Sequence, residues 1–426
     1  MIINGIEEIY KPSYYTADEQ ISNVIRIVAE MKENVDGVGL EKAALISLKR
    51  YPYFAVKPEI EGNSYVNVEN TAPFHVTEGI TSVHLLTKES NYYPLAVQYE
   101  GKRIAIDISH ALTDGRGFMP FVKTLLYYYI LFTVGEGIAS DDINTVDTPI
   151  FGDELGSPDE RINYNEITAP LAERKTARSI FRLQEIGLNN IGNKTVHHLR
   201  INGAEFMKYT KSMDASPSAI MSAMMAKVIW SLSNTEKDLP VLIAVDHRPM
   251  LHNKHSYRLL SNSLTVIYEE KQKGWPLGKL CTVTRGSIML QSDEQNILYY
   301  RKQMLLGAQK MNMLPSVKSK IELMKGRAAQ SLSRYSYVVS YPGIVNLGEV
   351  EKFTDKLYAL TDDVVDGGLS IEILSFRGDF YITFMQGFDD DRIINKFISL
   401  LDDETIEYAY SGKEALNLSK AIPEIS

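Results

Sequence analysis

The sequence predicts an α/β protein (α+β in the arrangement of its segments) built as two lobes, each a mixed sheet with helices. Three observations carry this. Amphipathic helical stretches alternate irregularly with short β-branched segments, several strands close as hairpins, and one acidic, proline-bearing stretch divides the chain. Regular strand–helix alternation, which builds a doubly wound parallel sheet, is not followed. The 426 residues are enough for two or three domains, and 44% hydrophobic with 23% charged residues suits a chain that buries large cores.

Thr16-Ala17-Asp18-Glu19 has the form of a capping box. Ile21, Val24, Ile25 and Val28 follow at helical spacing and predict a first helix. A second helix, carrying Leu40, Ala43, Ala44 and Leu48, should stop before Pro52. Strands are expected over 53–56, 64–68, 94–99 and 103–108, with Glu100-Gly101-Lys102 turning the last two into a hairpin. The apolar, tyrosine-rich stretch 117–132 reads as a buried helix. Between about 135 and 165, Asp141, Asp142, Asp147, Asp153, Glu154, Asp159 and Glu160 mix with Pro149 and Pro158, marking a linker. The lobes are therefore set at 1–165 and 166–426.

In the second half a strand is expected over 195–201. Ser216 as N-cap and Pro217 at the first helical position open a helix through Trp230. Strands at 240–245 and 263–268 precede a long helical region over 276–309. A hairpin around Arg377-Gly378 joins 369–374 to 379–385, and a helix follows from Asp389.

Charge and composition narrow the function classes. A net charge of -9 argues against nucleic acid or an anionic membrane as the main partner. Cys281 is the only cysteine, so no intrachain disulfide forms and a reducing compartment is expected. The first residues show no basic region followed by an apolar one, and no continuous run of about 18 apolar residues predicts a membrane span. The expectation is a soluble, cytoplasmic protein. A nucleotide-hydrolysing loop of the G-x-x-x-x-G-K-[ST] type is absent. His247, His252 and His255 near Asp246 fit no zinc spacing, and Arg248, Lys254 and Arg258 oppose a cation, so no metal is expected. His197 and His198 should point to opposite faces of a strand.

The sharpest chemical feature is Ser109-His110-Ala111-Leu112-Thr113-Asp114-Gly115. It lies between an alternating strand and a helix, where a rigid scaffold can hold a reactive side chain. Read alone, the pair also fits a hydrogen-bonded turn histidine with Asp114 capping the helix.

This segment resembles the H-x-x-x-D-G motif of the CoA-dependent acyltransferase superfamily, which includes chloramphenicol acetyltransferase, condensation domains, plant acyltransferases and bacterial alcohol acetyltransferases. Further segments resemble that superfamily in the same order: Lys49-Arg50-Tyr51-Pro52-Tyr53-Phe54, then Val245-Asp246-His247-Arg248-Pro249 with Ser261-Asn262-Ser263. Ser340-Tyr341-Pro342-Gly343 through Asn346 and the hairpin-plus-helix over 369–401 complete the series.

The resemblance implies two chloramphenicol-acetyltransferase-like lobes with a tunnel between them. It makes His110 the general base, pairs Asp114 with Arg248 as structural support, and gives Gly115 the task of letting backbone approach the thioester. It places Ser109, Asn262, Ser340, Tyr341 and Asn346 around the tunnel. An acyl-CoA is the implied co-substrate, without a tightly bound cofactor, and an alcohol or amine is the acceptor. The motif lacks the second histidine usual in condensation domains, since Ser109 precedes His110. The D-F-G-W-G segment of plant members is missing, Asp366-Gly367-Gly368 being the nearest stretch. These departures favour a free-standing enzyme of the alcohol acetyltransferase kind and disfavour a carrier protein as partner. A catalytically inactive module that binds a carrier arm, small ligand or protein is the alternative.

Overall fold

From the N-terminus run β1 (Val24–Met31), α1 (Gly37–Arg50), β2 (Val56–Glu61), β3 (Ser64–Glu69), β4 (Val76–Glu78) and β5 (His84–Leu85). The hairpin of β6 (Leu95–Glu100) and β7 (Arg103–Ser109) leads through a turn into α2 (Gly115–Val134). Next come β8 (Thr195–Asn202), α3 (Gly203–Ser212), α4 (Pro217–Leu232), β9 (Leu239–Asp246) and β10 (Ser261–Tyr268). Four helices follow: α5 (Leu277–Gln291), α6 (Glu294–Asn312), α7 (Val317–Met324) and α8 (Arg327–Leu332). The chain closes with β11 (Tyr337–Val345), β12 (Thr354–Thr361), β13 (Leu369–Phe376), β14 (Asp379–Gln386), α9 (Arg392–Asp403), β15 (Tyr408–Ala415) and β16 (Lys420–Ala421). The structure is a computed structural model and describes residues 11–18, 20–135, 137–188, 194–362, 364 and 367–424. Glu19 of the expected capping box and Asp366 lie outside the described residues.

Two mixed sheets organise the lobes, as the sequence predicts. One is five-stranded in the order β12-β1-β7-β6-β4, the other seven-stranded in the order β10-β9-β11-β13-β14-β8-β15. β4 runs parallel to β6, and β11 runs parallel to both β9 and β13; the remaining neighbours are antiparallel. The lobes interleave in sequence. β12, far beyond residue 166, forms the edge of the first sheet, with Thr361 opposite Ile25 on β1. It is also where the lobes touch: the Thr383 hydroxyl donates to the Ala359 carbonyl at 2.8 Å and the Tyr381 hydroxyl to Asp355 O at 3.2 Å.

The first predicted helix is instead the strand β1. Its Val-Ile-Arg-Ile-Val core is β-branched and buried on both faces between β12 and β7, a setting in which an apolar run carries no usable period. Asp18 accepts from the N–H groups of Gln20 and Ile21, so it builds a turn rather than a helix cap. The strand expected from 53 is a short 3-10 turn over Pro52–Phe54 before β2. The helical region over 276–309 breaks where Asp293 caps α6. Nor is the acidic stretch a free tether. Buried Glu154 takes two hydrogen bonds from Arg50 at 2.7 and 3.0 Å and one from the Tyr53 hydroxyl at 2.6 Å.

α2 is long and apolar enough by averaged hydropathy to cross a bilayer, although Arg116 and Lys123 interrupt any continuous apolar run. Of its 20 residues 12 are buried inside the protein, where Phe118, Phe121 and Leu125 join the core formed by α1 and the five-stranded sheet. A separate core, centred on α4 with Phe384 and Phe397, underlies the seven-stranded sheet.

Candidate active site

His110 follows β7 directly, and its backbone N–H donates to Asn23 O at 2.8 Å, anchoring the turn to the residue before β1. Its ring Nδ1 lies 2.9 Å from the Thr113 carbonyl within the same turn. A carbonyl oxygen only accepts, so Nδ1 carries the proton and the lone pair resides on Nε2. The half-buried ring lines a cavity of ≈ 290 Å³ between the lobes.

Asp114 also lines this cavity, but its carboxylate is taken up by donors of the protein itself. It is buried and caps α2 by accepting the Gly117 N–H at 2.8 Å. Arg248 grips it with Nη1 on Oδ2 at 3.1 Å and Nη2 on Oδ1 at 2.9 Å, and the N–H groups of Leu260 and Ser261 each add a bond at 2.8 Å. Burial alone would raise this carboxyl. The Arg248 charge and the hydrogen bonds from Arg248, Gly117 and Ser261 outweigh it and hold the group below the usual carboxylate value. Arg248 is itself fixed by Asp246 at 2.9 Å and by the carbonyls of Ser256 and Arg258 at 3.0 and 2.6 Å. The strand-to-helix turn of one lobe is thus clasped by the loop between β9 and β10 of the other.

The same loop explains a glycine. A Cβ on Gly117 would lie 2.1 Å from the Tyr257 carbonyl oxygen, which also accepts the Thr113 hydroxyl at 2.5 Å. At Gly115, which lines the cavity, a Cβ would meet nothing closer than Pro342 at 3.8 Å, so packing does not require a glycine there.

Of the residues expected around the tunnel, Asn262, Ser340 and Tyr341 line the cavity. Ser109 and Asn346 do not. Ser109 is fully buried in β7, where strand alternation turns it away from the face His110 continues. Asn346 is exposed and closes a turn by accepting the Gly348 N–H at 2.7 Å. The β11–β13 ladder slips between Ser340 and Gly343, where Gly343 adopts φ +106°. This bulge lets the consecutive residues Ser340, Tyr341 and Pro342 all face the cavity, which a regular strand forbids.

Among the lining residues that sequence reasoning missed are Arg116, Met119, Asp246, Met304, Thr361 and Glu372. Arg116 and Met119 had a signal, since they occupy the first turns of the helix after the motif. Thr361 had none, because β12 reaches the site only by joining the other lobe's sheet, and Glu372 had none because it comes beside Ser340 only through the parallel pairing of β13 with β11. A second cavity of ≈ 740 Å³ abuts the first at Arg116, Met119 and Asp246 and continues past Lys123, Lys254 and exposed His252.

His197, His198, His247 and His255 are held by other partners. His255 pairs with Asp153 at 2.8 Å, and His247 is buried, its imidazole pushed down to about 4 mainly by burial and then by the Arg301 charge. His197 is buried against the Tyr410 hydroxyl while partly exposed His198 pairs with Glu414 at 2.9 Å, the opposite-face arrangement read from the sequence. No cluster of three or more metal-ligating side chains occurs among the described residues.

No family model matches this sequence, and no curated protein is significantly similar to it. Solved structures are. Polyketide synthase associated protein 5 from Mycobacterium tuberculosis superposes with a TM-score of 0.61 at 12% identity, covering 94% of this chain and 97% of that one. TRI101 of F. sporotrichioides, solved with coenzyme A and T-2, gives a TM-score of 0.57 at 13% identity over 96% and 99% of the two chains. The condensation domain of the monacolin K polyketide synthase MokA gives 0.57 at 14% identity over 93% and 95%. Likeness at this identity speaks for architecture, and it agrees with the collinear motifs: the fold of this chain is the two-lobed, chloramphenicol-acetyltransferase-like fold.

Proposed function

We propose that the chain is a cytoplasmic acyltransferase that moves an acyl group, acetyl in the simplest case, from a CoA thioester to an alcohol or amine, with His110 as general base. The observation that carries this reading is the bond from His110 Nδ1–H to the Thr113 carbonyl beside an inter-lobe cavity. It commits one ring nitrogen to the turn and leaves Nε2 as the base beside that cavity.

In the step this geometry supports, Nε2 takes the proton of the acceptor hydroxyl or amine as that atom bonds to the thioester carbonyl carbon. When the tetrahedral adduct collapses, the C–S bond breaks and the imidazolium returns the proton to the departing thiolate. No covalent acyl-enzyme is needed. Cys281, the sole thiol, is buried and raised to about 12 by burial, which suits it to packing rather than attack. Arg116, Lys123 and Lys254 line the adjoining cavity together with Asp142, Asp153 and Asp246, and the coenzyme A complex of a neighbour with this fold supports a CoA thioester as the donor. No resident metal or cofactor is called for by the step.

The similarity to a condensation domain, with Ser109 before His110, favours a second reading: a module that holds a carrier arm or ligand without turnover. Thiol release from acetyl-CoA, measured with a panel of alcohols and amines, separates the two. Acceptor-dependent release is expected. Ligand binding with no release for any acceptor would overturn the catalytic reading.

A further inference from the structure

The charge of this chain is unevenly spread. Residues 295–345, from the first turn of α6 to the end of β11, hold eight Lys and Arg against a single acidic residue, Glu322, a net charge of +7. The whole chain carries -9, so the remainder carries -16. Within the segment Arg301 and Lys320 are buried. Lys310, Lys318, Lys325, Arg327 and Arg334 are exposed, and none of the five has an ion-pair partner among the described residues. Unpaired like charges repel one another and stabilise nothing within the fold, but together they attract an anionic surface.

Large apolar side chains stand among these cations. Met313 is 84% exposed, and Leu306 and Leu323 are exposed as well. Helical spacing places them. In α6, Ile297, Ala308 and Met311 face inward, which turns Leu306 and Lys310 outward; in α7, Val317 and Lys320 face inward, which turns Lys318 and Leu323 outward. Met311 and Val317 pack with Tyr14 and Tyr15 in one small core, so both helices rest on one support. A helix that buries one side and shows Lys with bulky apolar groups on the other suits a lipid interface. Met304, also on α6, lines the His110 cavity while 37% exposed, and Lys310 lies six residues on, roughly 9 Å along the helix.

We propose that α6, α7 and α8 form a docking face for an anionic lipid surface. The five cations meet the headgroups, Met313, Leu306 and Leu323 enter the boundary with the acyl chains, and the cavity opening at Met304 lies beside the bilayer. The net charge of the whole chain points away from such a surface. Its distribution turns one side toward lipid, and the -16 elsewhere leaves the other sides repelled. Lipid is favoured over an acidic protein, because protein interfaces are depleted in Lys and three of the five cations are Lys. The face lies outside the proposed acyl transfer and does not rest on it.

Flotation of the full chain with vesicles of phosphatidylcholine, alone or mixed equally with phosphatidylglycerol, tests this. Capture by the mixed vesicles, little by phosphatidylcholine alone, and release as salt is raised are expected. Lys318→Gln, Lys325→Gln and Arg327→Gln should each weaken the affinity for mixed vesicles roughly fivefold, and Met313→Ser about tenfold. Lys49→Gln, at an exposed lysine of α1 outside the segment, should leave it unchanged. No capture by either vesicle, equal capture by both, or equal losses for Lys49→Gln and Lys325→Gln would overturn the face. Self-association or capture of an acidic protein through α6–α8, with the vesicles left unbound, would overturn it too. A chain that docks but transfers no acyl group keeps the face and sinks the proposed reaction.

Discussion

Asp107, on β7, and Asp114, just past its end, are both buried carboxylates gripped by buried arginines, yet they hold different things together. Arg26 sits opposite Asp107 in the β1–β7 ladder, bonding it at 2.6 and 2.7 Å, and reaches Asn417 O at 2.9 Å. Ser419 also donates to Asp107. This pair staples two strands of one sheet to the C-terminal tail. The Asp114–Arg248 pair crosses between lobes, caps α2 and gathers two backbone N–H groups from the opposite loop. The same pair chemistry thus serves rigidity within a sheet in one place and the aim of the His110 turn in the other.

The comparison breaks if both pairs act alike. Arg26→Ala and Arg248→Ala should each lower unfolding free energy by about 3–5 kcal/mol in urea titrations, because each leaves a buried carboxylate unpaired. Per folded molecule, Arg26→Ala should keep wild-type transfer while Arg248→Ala loses at least about tenfold, since a displaced turn misplaces the imidazole. Equal rate losses would show that neither pair is special to the site.

A smaller effect sharpens the role of the inter-lobe contact. Gly117→Ala should destabilise by about 1–3 kcal/mol, the range for forced overpacking, because its Cβ would press on the Tyr257 carbonyl. Gly115→Ala, with 3.8 Å of clearance, should keep or gain up to about 1 kcal/mol through helix propensity. Urea midpoints of the two variants decide this.

The gentlest probe is pH. His197 and His247 both sit at about 4, mainly through burial, below the ordinary histidine value of about 6.5. Between those values the unfolded chain binds more protons than the folded one. Stability should therefore be full above about pH 6.5 and fall as pH drops toward about 4, by about 1.4 kcal/mol per pH unit for each group. Asp114 acts in the same sense further down: its lowered value adds stability above the unfolded carboxylate value of about 3.9, lost as pH falls below it. Urea titrations across pH 4–7 on wild type and His247→Asn measure the slope, which the variant should reduce.

Much of this was legible from local chemistry. Ser216-Pro217 opened α4, Gly101 turned the β6–β7 hairpin, and Arg377-Gly378 turned β13 into β14, each because a cap or a positive φ leaves a residue signature. His110, Asp114 and Arg248 came from a motif together with the order of distant segments. β1 was misread because a strand buried on both faces loses its alternation, and β12 passed unnoticed because joining the other lobe's sheet is a property of topology. The Ser340–Gly343 bulge, and with it the placement of Tyr341, likewise depends on pairing partners far along the chain. Thr361 and Glu372 stayed invisible for the same reason.

The central claim is that the free nitrogen of His110 does the proton chemistry. CoA release from acetyl-CoA in the presence of a productive acceptor, compared between wild type and folded His110→Ala, tests it most directly. A fall of roughly 10²–10⁴-fold with the urea midpoint preserved is predicted. A variant that turns over at the wild-type rate would contradict it.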